Sequence, residues 1–172
     1  MASLLPLIQD ILPMIMPSSI SVTKASDIIP PAPPSPPTET GEGSNEDASR
    51  IRVISRDAVV NKTDSMCASV LIVKPKSSSP VRHHGEQVQD TIIYAASGKG
   101  VLLSSPKDEG DEPVRYDLDQ GDFAVVPPWT EHQALNESEG DLLWVVIRNG
   151  PQPVEVNLTD WGGSQVTDAS KR

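Results

Sequence analysis

A chain of 172 residues with 24 acidic and 14 basic side chains carries a formal net charge of −10 and a pI near 4.6. That balance, with no basic run anywhere, excludes a nucleic-acid partner, because such binding rests on neutralising phosphates with Lys and Arg. The length suits one domain plus a tail, and the single cysteine, Cys67, admits no internal disulfide, which points to a reducing, cytoplasmic setting and a packed, inert thiol.

Residues 1–20 are apolar, but Pro6, Pro13 and Pro17 interrupt any helix, and Gln9 and Asp10 sit in mid-run. The run is too short and broken to span a membrane, and no Lys or Arg precedes it as in a secretory leader. It reads as a short amphipathic segment that docks on a partner or on the following domain. Residues 30–49, rich in Pro, Ser, Gly and acids, have nothing to bury and form a low-complexity linker. The predicted organisation is a disordered extension over 1–49, a folded domain over 50–162 and a disordered tail over 163–172. N-x-[ST] triplets at Asn61, Asn136 and Asn157 would matter only in a secreted chain.

From residue 50 the texture changes to short β-rich runs punctuated by Gly, Pro, Asp and Ser. Strands are predicted over Ile51–Ser55, Ala68–Lys74, Val81–His84, Thr91–Ala96, Gly100–Ser104, Val114–Leu118, Phe123–Val126, His132–Leu135, Leu142–Arg148 and Val154–Asn157. No apolar helical period is sustained after residue 50. Short strands at regular spacing without helices indicate an all-β sandwich or barrel. A jelly roll is one way such a chain covers its sheet edges.

The most informative stretch runs from Gly121 to Asn136: a glycine turn, a strand, a corner at Pro127 and Pro128, then a strand bearing His132. The prolines end the first strand because neither can donate to a ladder. Alternation then places His132, Ala134 and Asn136 on one face, a plausible barrel interior.

This stretch resembles the second motif of the cupin superfamily, G-x5-P-x-G-x2-H-x3-N, with Gly121, Pro127, His132 and Asn136 at the motif spacings. Trp129 stands where the family has glycine. The first motif, G-x5-H-x-H-x3,4-E-x6-G, is matched in part by residues 81–98. Gly98 closes it, Thr91 stands at the glutamate position with Asp90 beside it, and His83 and His84 are adjacent rather than two apart. With His84 as the second histidine, Arg82 replaces the first. The string His-His-Gly-Glu-Gln, followed by Asp-Thr-Ile-Ile-Tyr and Gly-Lys-Gly, is similar to small single-domain fungal cupins that accompany polyketide or terpenoid biosynthesis and are assigned as oxidoreductases.

The resemblance implies a cupin-type jelly-roll barrel with a small organic substrate and a metal-assisted redox step, such as that of a dioxygenase. Strand parity groups Arg82, His84 and Glu86, with His83 facing the other way unless Gly85 reverses the local geometry. His84, Glu86 and His132 then form a two-His, one-carboxylate set for Fe(II), or for Mn, Zn or Ni, with His83 as the substitute ligand. His132 and His84 are the expected catalytic residues. Arg82, Tyr94, Trp129 and Asn136 are the expected substrate contacts, although aromatics such as Tyr94 also serve as core or rim packing. Two alternatives stay open: an isomerase or dehydratase using a histidine as acid or base, and a non-catalytic binding cupin whose metal site has decayed. A homodimer is the default assembly.

Overall fold

The structure, a computed structural model, describes residues 19–28, 52–84, 89–106, 108 and 111–166. The apolar segment at 1–18, the Pro-rich linker and Glu86 lie outside the described residues.

One turn of helix, α1 (Ala25–Ile28), precedes the strands β1 (Val53–Val59), β2 (Met66–Val73), β3 (Ser77–Ser78), β4 (Arg82–His83), β5 (Thr91–Ser97), β6 (Gly100–Ser104), β7 (Val114–Leu118), β8 (Phe123–Val126), β9 (His132–Asn136), β10 (Leu142–Asn149) and β11 (Val156–Asn157). Two antiparallel sheets result. One runs β1-β2-β10-β5-β8, and the other runs β11-β4-β9-β6-β7 with β3 also paired to β9. This is the expected all-β jelly-roll architecture. The short pair Ser77–Ser78 escaped prediction because two serines carry no hydrophobic period; their place comes from pairing with Leu135 and Asn136.

The inner faces meet in a common core. On β10, Leu142, Trp144 and Val146 are buried while their neighbours are half-exposed, a period of two set by side chains alternating across the strand. They pack with Leu71 and Val73 of β2, Ile93 and Ala95 of β5, and Leu102, Leu118, Val126 and Ala134. Cys67 is buried as expected, and burial pushes its thiol pKa up.

Gly98 links β5 to β6 at φ +80°, and a Cβ there would lie 2.6 Å from the Asp141 carbonyl oxygen. Only glycine meets both demands. Trp129, at the motif's usual glycine position, also adopts a left-handed φ of 63°.

The described residues include some on either side of the predicted 50–162 unit. Thr23 donates its hydroxyl to the Ala58 carbonyl of β1. After β11 the chain turns back, with Leu158 bridging Gln165 and Val166 N–H donating to Asn157 O at 2.7 Å. Residues 163–166 are therefore tied to the barrel rather than part of a free tail. Among the described residues, no helix is long and apolar enough to cross a membrane.

Candidate metal centre and substrate pocket

Strand pairing brings the two motif regions together. Arg82 of β4 stands directly opposite His132 of β9, which also pairs with Ser104 of β6. Opposed residues of an antiparallel pair put their side chains on the same face, so Arg82 and His132 both turn into the barrel, where each is 6% exposed. His84, two residues beyond Arg82, follows the same parity and is fully buried.

The rings of His84 and His132 lie 4.8 Å apart between centroids, tilted by 39°. Each has its Nδ1 pinned to a main-chain carbonyl: His84 to Val154 O at 3.0 Å, and His132 to Thr130 O at 2.9 Å. A carbonyl can only accept, so Nδ1 carries the proton and Nε2 keeps a free lone pair in the neutral ring. Burial is the main force holding both rings neutral. It takes the His84 pKa down to about 4, aided by the nearby Arg148 charge and opposed by the Val154 hydrogen bond and Glu155. It takes His132 down to about 3 against the Thr130 hydrogen bond, with His84 and Arg82 adding to the depression.

Two neutral, carbonyl-oriented imidazoles form the donor chemistry a divalent transition metal takes up. His84 Nε2 is buried with no hydrogen-bond partner, which also fits a ligand atom. The pair fits two positions of a metal site. Among the described residues, no group of three or more His, Cys, Asp or Glu side chains could hold an ion. Thr91, at the motif's glutamate position, is fully buried with an unpartnered hydroxyl.

The other sequence candidates sit elsewhere. His83 faces Trp129, ring centroids 5.5 Å apart, while Gly85 lies outside the described residues. Trp129 is 58% exposed beside it. Tyr94 lies on the outer face of β5 and packs on Phe123 at 4.6 Å, because alternation gives the inward positions to Thr91, Ile93 and Ala95. Tyr94, expected as a substrate contact or as core or rim packing, thus stands apart from the inward imidazole pair.

Asn136 shares the inward face of β9 but is fully consumed by a turn. Its Nδ2 donates to Val73 O and Gly140 O, both at 2.8 Å, and its Oδ1 accepts from the Ser138 N–H and hydroxyl. It anchors this turn with the amide oxygen and nitrogen both engaged, and its complete burial also closes that glycosylation triplet.

Arg148 and Glu155 were not among the sequence candidates. Arg148, 3% exposed, and Arg82 share the carboxylate of Glu155. Arg82 Nη1 reaches Oε2 at 2.9 Å, and Arg148 Nη2 binds Oε1. Burial pushes the Glu155 carboxyl pKa up, but the combined pull of Arg82 and Arg148 takes it below the ordinary value. Arg148 was legible in principle: it follows Leu142, Trp144 and Val146 in strict alternation, so a charge faces inward there and needs a partner.

Two hollows meet at His132. An inner cavity of about 20 Å³ is lined by Arg82, Arg148, Glu155, Ser69, Trp144 and His132, among others. An outer pocket of about 480 Å³ opens between β6–β7 and β8, walled by Leu102, Leu118, Val126, Pro127, Tyr116, Phe123 and Val125, with His132 on its lining. The second volume is in the range of small-molecule sites.

Two facing antiparallel sheets around an inward imidazole pair define a double-stranded β-helix barrel. Residues 69–148 match the model of the cupin domain. Gentisate 1,2-dioxygenase 1 of Aquipseudomonas alcaligenes is 26% identical over 83 residues, which are 48% of this chain and 21% of that protein. Oxalate decarboxylase of Bacillus subtilis superposes with a TM-score of 0.53 at 18% identity, covering 60% of this chain and 27% of that one. A protein with a double-stranded β-helix domain from Klebsiella pneumoniae gives a TM-score of 0.51 at 15% identity, covering 74% of this chain and 90% of that one. The chain thus spans about a fifth of the curated relative and about a quarter of the decarboxylase.

Proposed function

We propose that this protein is a metal-dependent cupin enzyme acting on a small organic substrate, with His84 and His132 holding a divalent ion through Nε2. The observation that carries this reading is the pair of neutral imidazoles, each oriented by a carbonyl and free at Nε2, beside a pocket of about 480 Å³. The similar proteins support it: one is named a 1,2-dioxygenase, and the Bacillus subtilis decarboxylase has Mn(II) centres. Fe(II) is the first choice here, with Mn, Zn and Ni as alternatives, and Glu86 is the proposed third ligand. When bound, the ion supplies Lewis-acid or redox chemistry at its open positions.

The chain's own part is to place and dry the site. Val154 O and Thr130 O fix the ring tautomers, and Leu102, Leu118 and Val126 line the outer pocket with apolar surface. Trp129 stands exposed beside His83 as a candidate rim contact. The finer assignment is an oxidoreductase of secondary metabolism, resting on the likeness of residues 83–100 to fungal cupins. Exposed Ile92, Phe123 and Val125 on adjoining strands β5 and β8 support a homodimer. The single buried thiol supports a cytoplasmic setting.

A second, non-catalytic reading is favoured by one observation: Arg82 occupies the first-histidine position and is locked to Glu155. The acid–base reading is weaker, since rings with pKa values of about 4 and 3 are poor proton carriers at neutral pH.

Elemental analysis of protein purified without chelator, repeated for His132→Ala, decides between them. Stoichiometric metal that disappears in the variant is the expected result. No metal after reconstitution with Fe(II), Mn(II), Zn(II) and Ni(II) would leave the binding-protein reading.

A further inference from the structure

The inner cavity has an unbalanced charge. Arg82 and Arg148 are both almost fully buried and share a single carboxylate, Glu155. Buried cations without matching anions are costly. Further polar capacity lies unspent there. Arg148 Nε, Thr91 Oγ1 and the Trp144 indole N–H are buried with no hydrogen-bond partner, and Thr91 stands directly opposite Arg148 across β5 and β10. A guanidinium satisfies a carboxylate best through two parallel N–H bonds, yet Glu155 divides its two oxygens between two guanidiniums.

Glu155 is also the member of the cluster best able to leave. Its side chain is 25% exposed, against 8% for Arg82 and 3% for Arg148. It follows a segment held by side chains and not by a long strand. Gln89 donates to Asn149 O and Gln152 O and accepts from Val154 N–H, while His84 donates to Val154 O. The cavity of about 20 Å³ has room for one water-sized group, so an organic acid fits only by taking the place of the Glu155 carboxylate. His132 and Leu102 line both this cavity and the outer pocket, which sets an apolar chamber next to a cationic end.

We infer that Arg82 and Arg148 form a seat for the carboxylate of a small organic acid, and that Glu155 is an internal carboxylate which this ligand displaces. The inference rests on the proposed function and names the substrate class of that pocket. Because Val154 holds His84 and Glu155 follows it, displacement also reaches the proposed metal ligand.

The test is calorimetric titration of the full chain with benzoate and with its neutral counterpart benzamide, metal content being measured in every sample. Benzoate should bind more tightly than benzamide. Glu155→Gln should strengthen benzoate by about tenfold or more and leave benzamide unchanged. Arg148→Met should abolish the preference, and Arg82→Lys should weaken it if Arg148→Met does not fold. Equal binding of the two probes, or no gain in Glu155→Gln, overturns the seat even if metal is present. Loss of benzoate binding on chelation, with Glu155→Gln without effect, also overturns it by assigning the carboxylate to the ion. A benzoate preference that persists in metal-free protein upholds the seat while the metal reading fails.

Discussion

Acidification of the chelator-treated protein should destabilise it well before its carboxylates titrate. In the unfolded chain, His84 and His132 take up protons near pH 6.5, but in the folded barrel only near pH 4 and pH 3. The unfolded state therefore binds more protons throughout that interval. The stability contributed by the neutral rings is whole above pH 6.5 and drains away as pH falls towards the folded values.

At pH 5.5 the unfolded chain holds about 0.9 proton on each ring and the folded chain almost none, a slope of about 2.4 kcal/mol per pH unit for the two. Between pH 7 and pH 5 the loss is about 3–4 kcal/mol, a large part of the 5–15 kcal/mol typical of a domain. Urea titrations at half-unit pH steps, read by tryptophan fluorescence, measure it. His132→Gln should reduce the slope to about half, because one of two protons is removed from the linkage. A slope below about 0.5 kcal/mol per pH unit, or one unchanged in the variant, would show that the rings are not held neutral, and the lone pairs proposed for metal would go with them.

Asn136→Ala removes two donated and two accepted hydrogen bonds from a fully buried turn anchor. It should cost about 2–4 kcal/mol in urea titration, whereas a substrate-contact role would leave stability unaltered. At Trp129 the left-handed backbone makes the order of substitutions informative. Trp129→Gly should be more stable than Trp129→Ala by about 1 kcal/mol, since both lose the His83 contact but only glycine escapes the penalty for positive φ. Equal urea midpoints would refute the strain.

The parts of this fold visible in the sequence are those governed by alternation and by turn residues. The bounds of β6, β7 and β8 match those predicted, because Gly, Pro and Asp flank short apolar runs there. The inward facing of His132, Ala134 and Asn136 follows from parity alone, as does the separation of His84 from His83. Facing inward, however, does not assign a role. Asn136 faces inward and is spent on a turn, while Tyr94 faces outward because its sheet carries apolar side chains on both faces, which leaves hydrophobicity unable to name the buried one.

The charged cluster was hidden for a different reason. Arg82, Arg148 and Glu155 are far apart or differently placed in the chain, and a charge at a strand end ordinarily reads as solvent-facing. Only the closure of two sheets shows that β4, the end of β10 and the residue just before β11 converge on one cavity. That convergence also bears on the motif substitutions. Under the proposed reading, Arg82 in place of the motif's histidine takes away a ligand position and adds a cation, so the altered position would trade one kind of anion recognition for another. A bound ion draws a substrate's oxygen by coordination, and a guanidinium pair draws a carboxylate by charge and hydrogen bonds. Arg82 shares a sheet with His132 while Arg148 reaches in from the facing one, so under the proposed reading a ligand held by its carboxylate between the two arginines would be positioned against the imidazole pair.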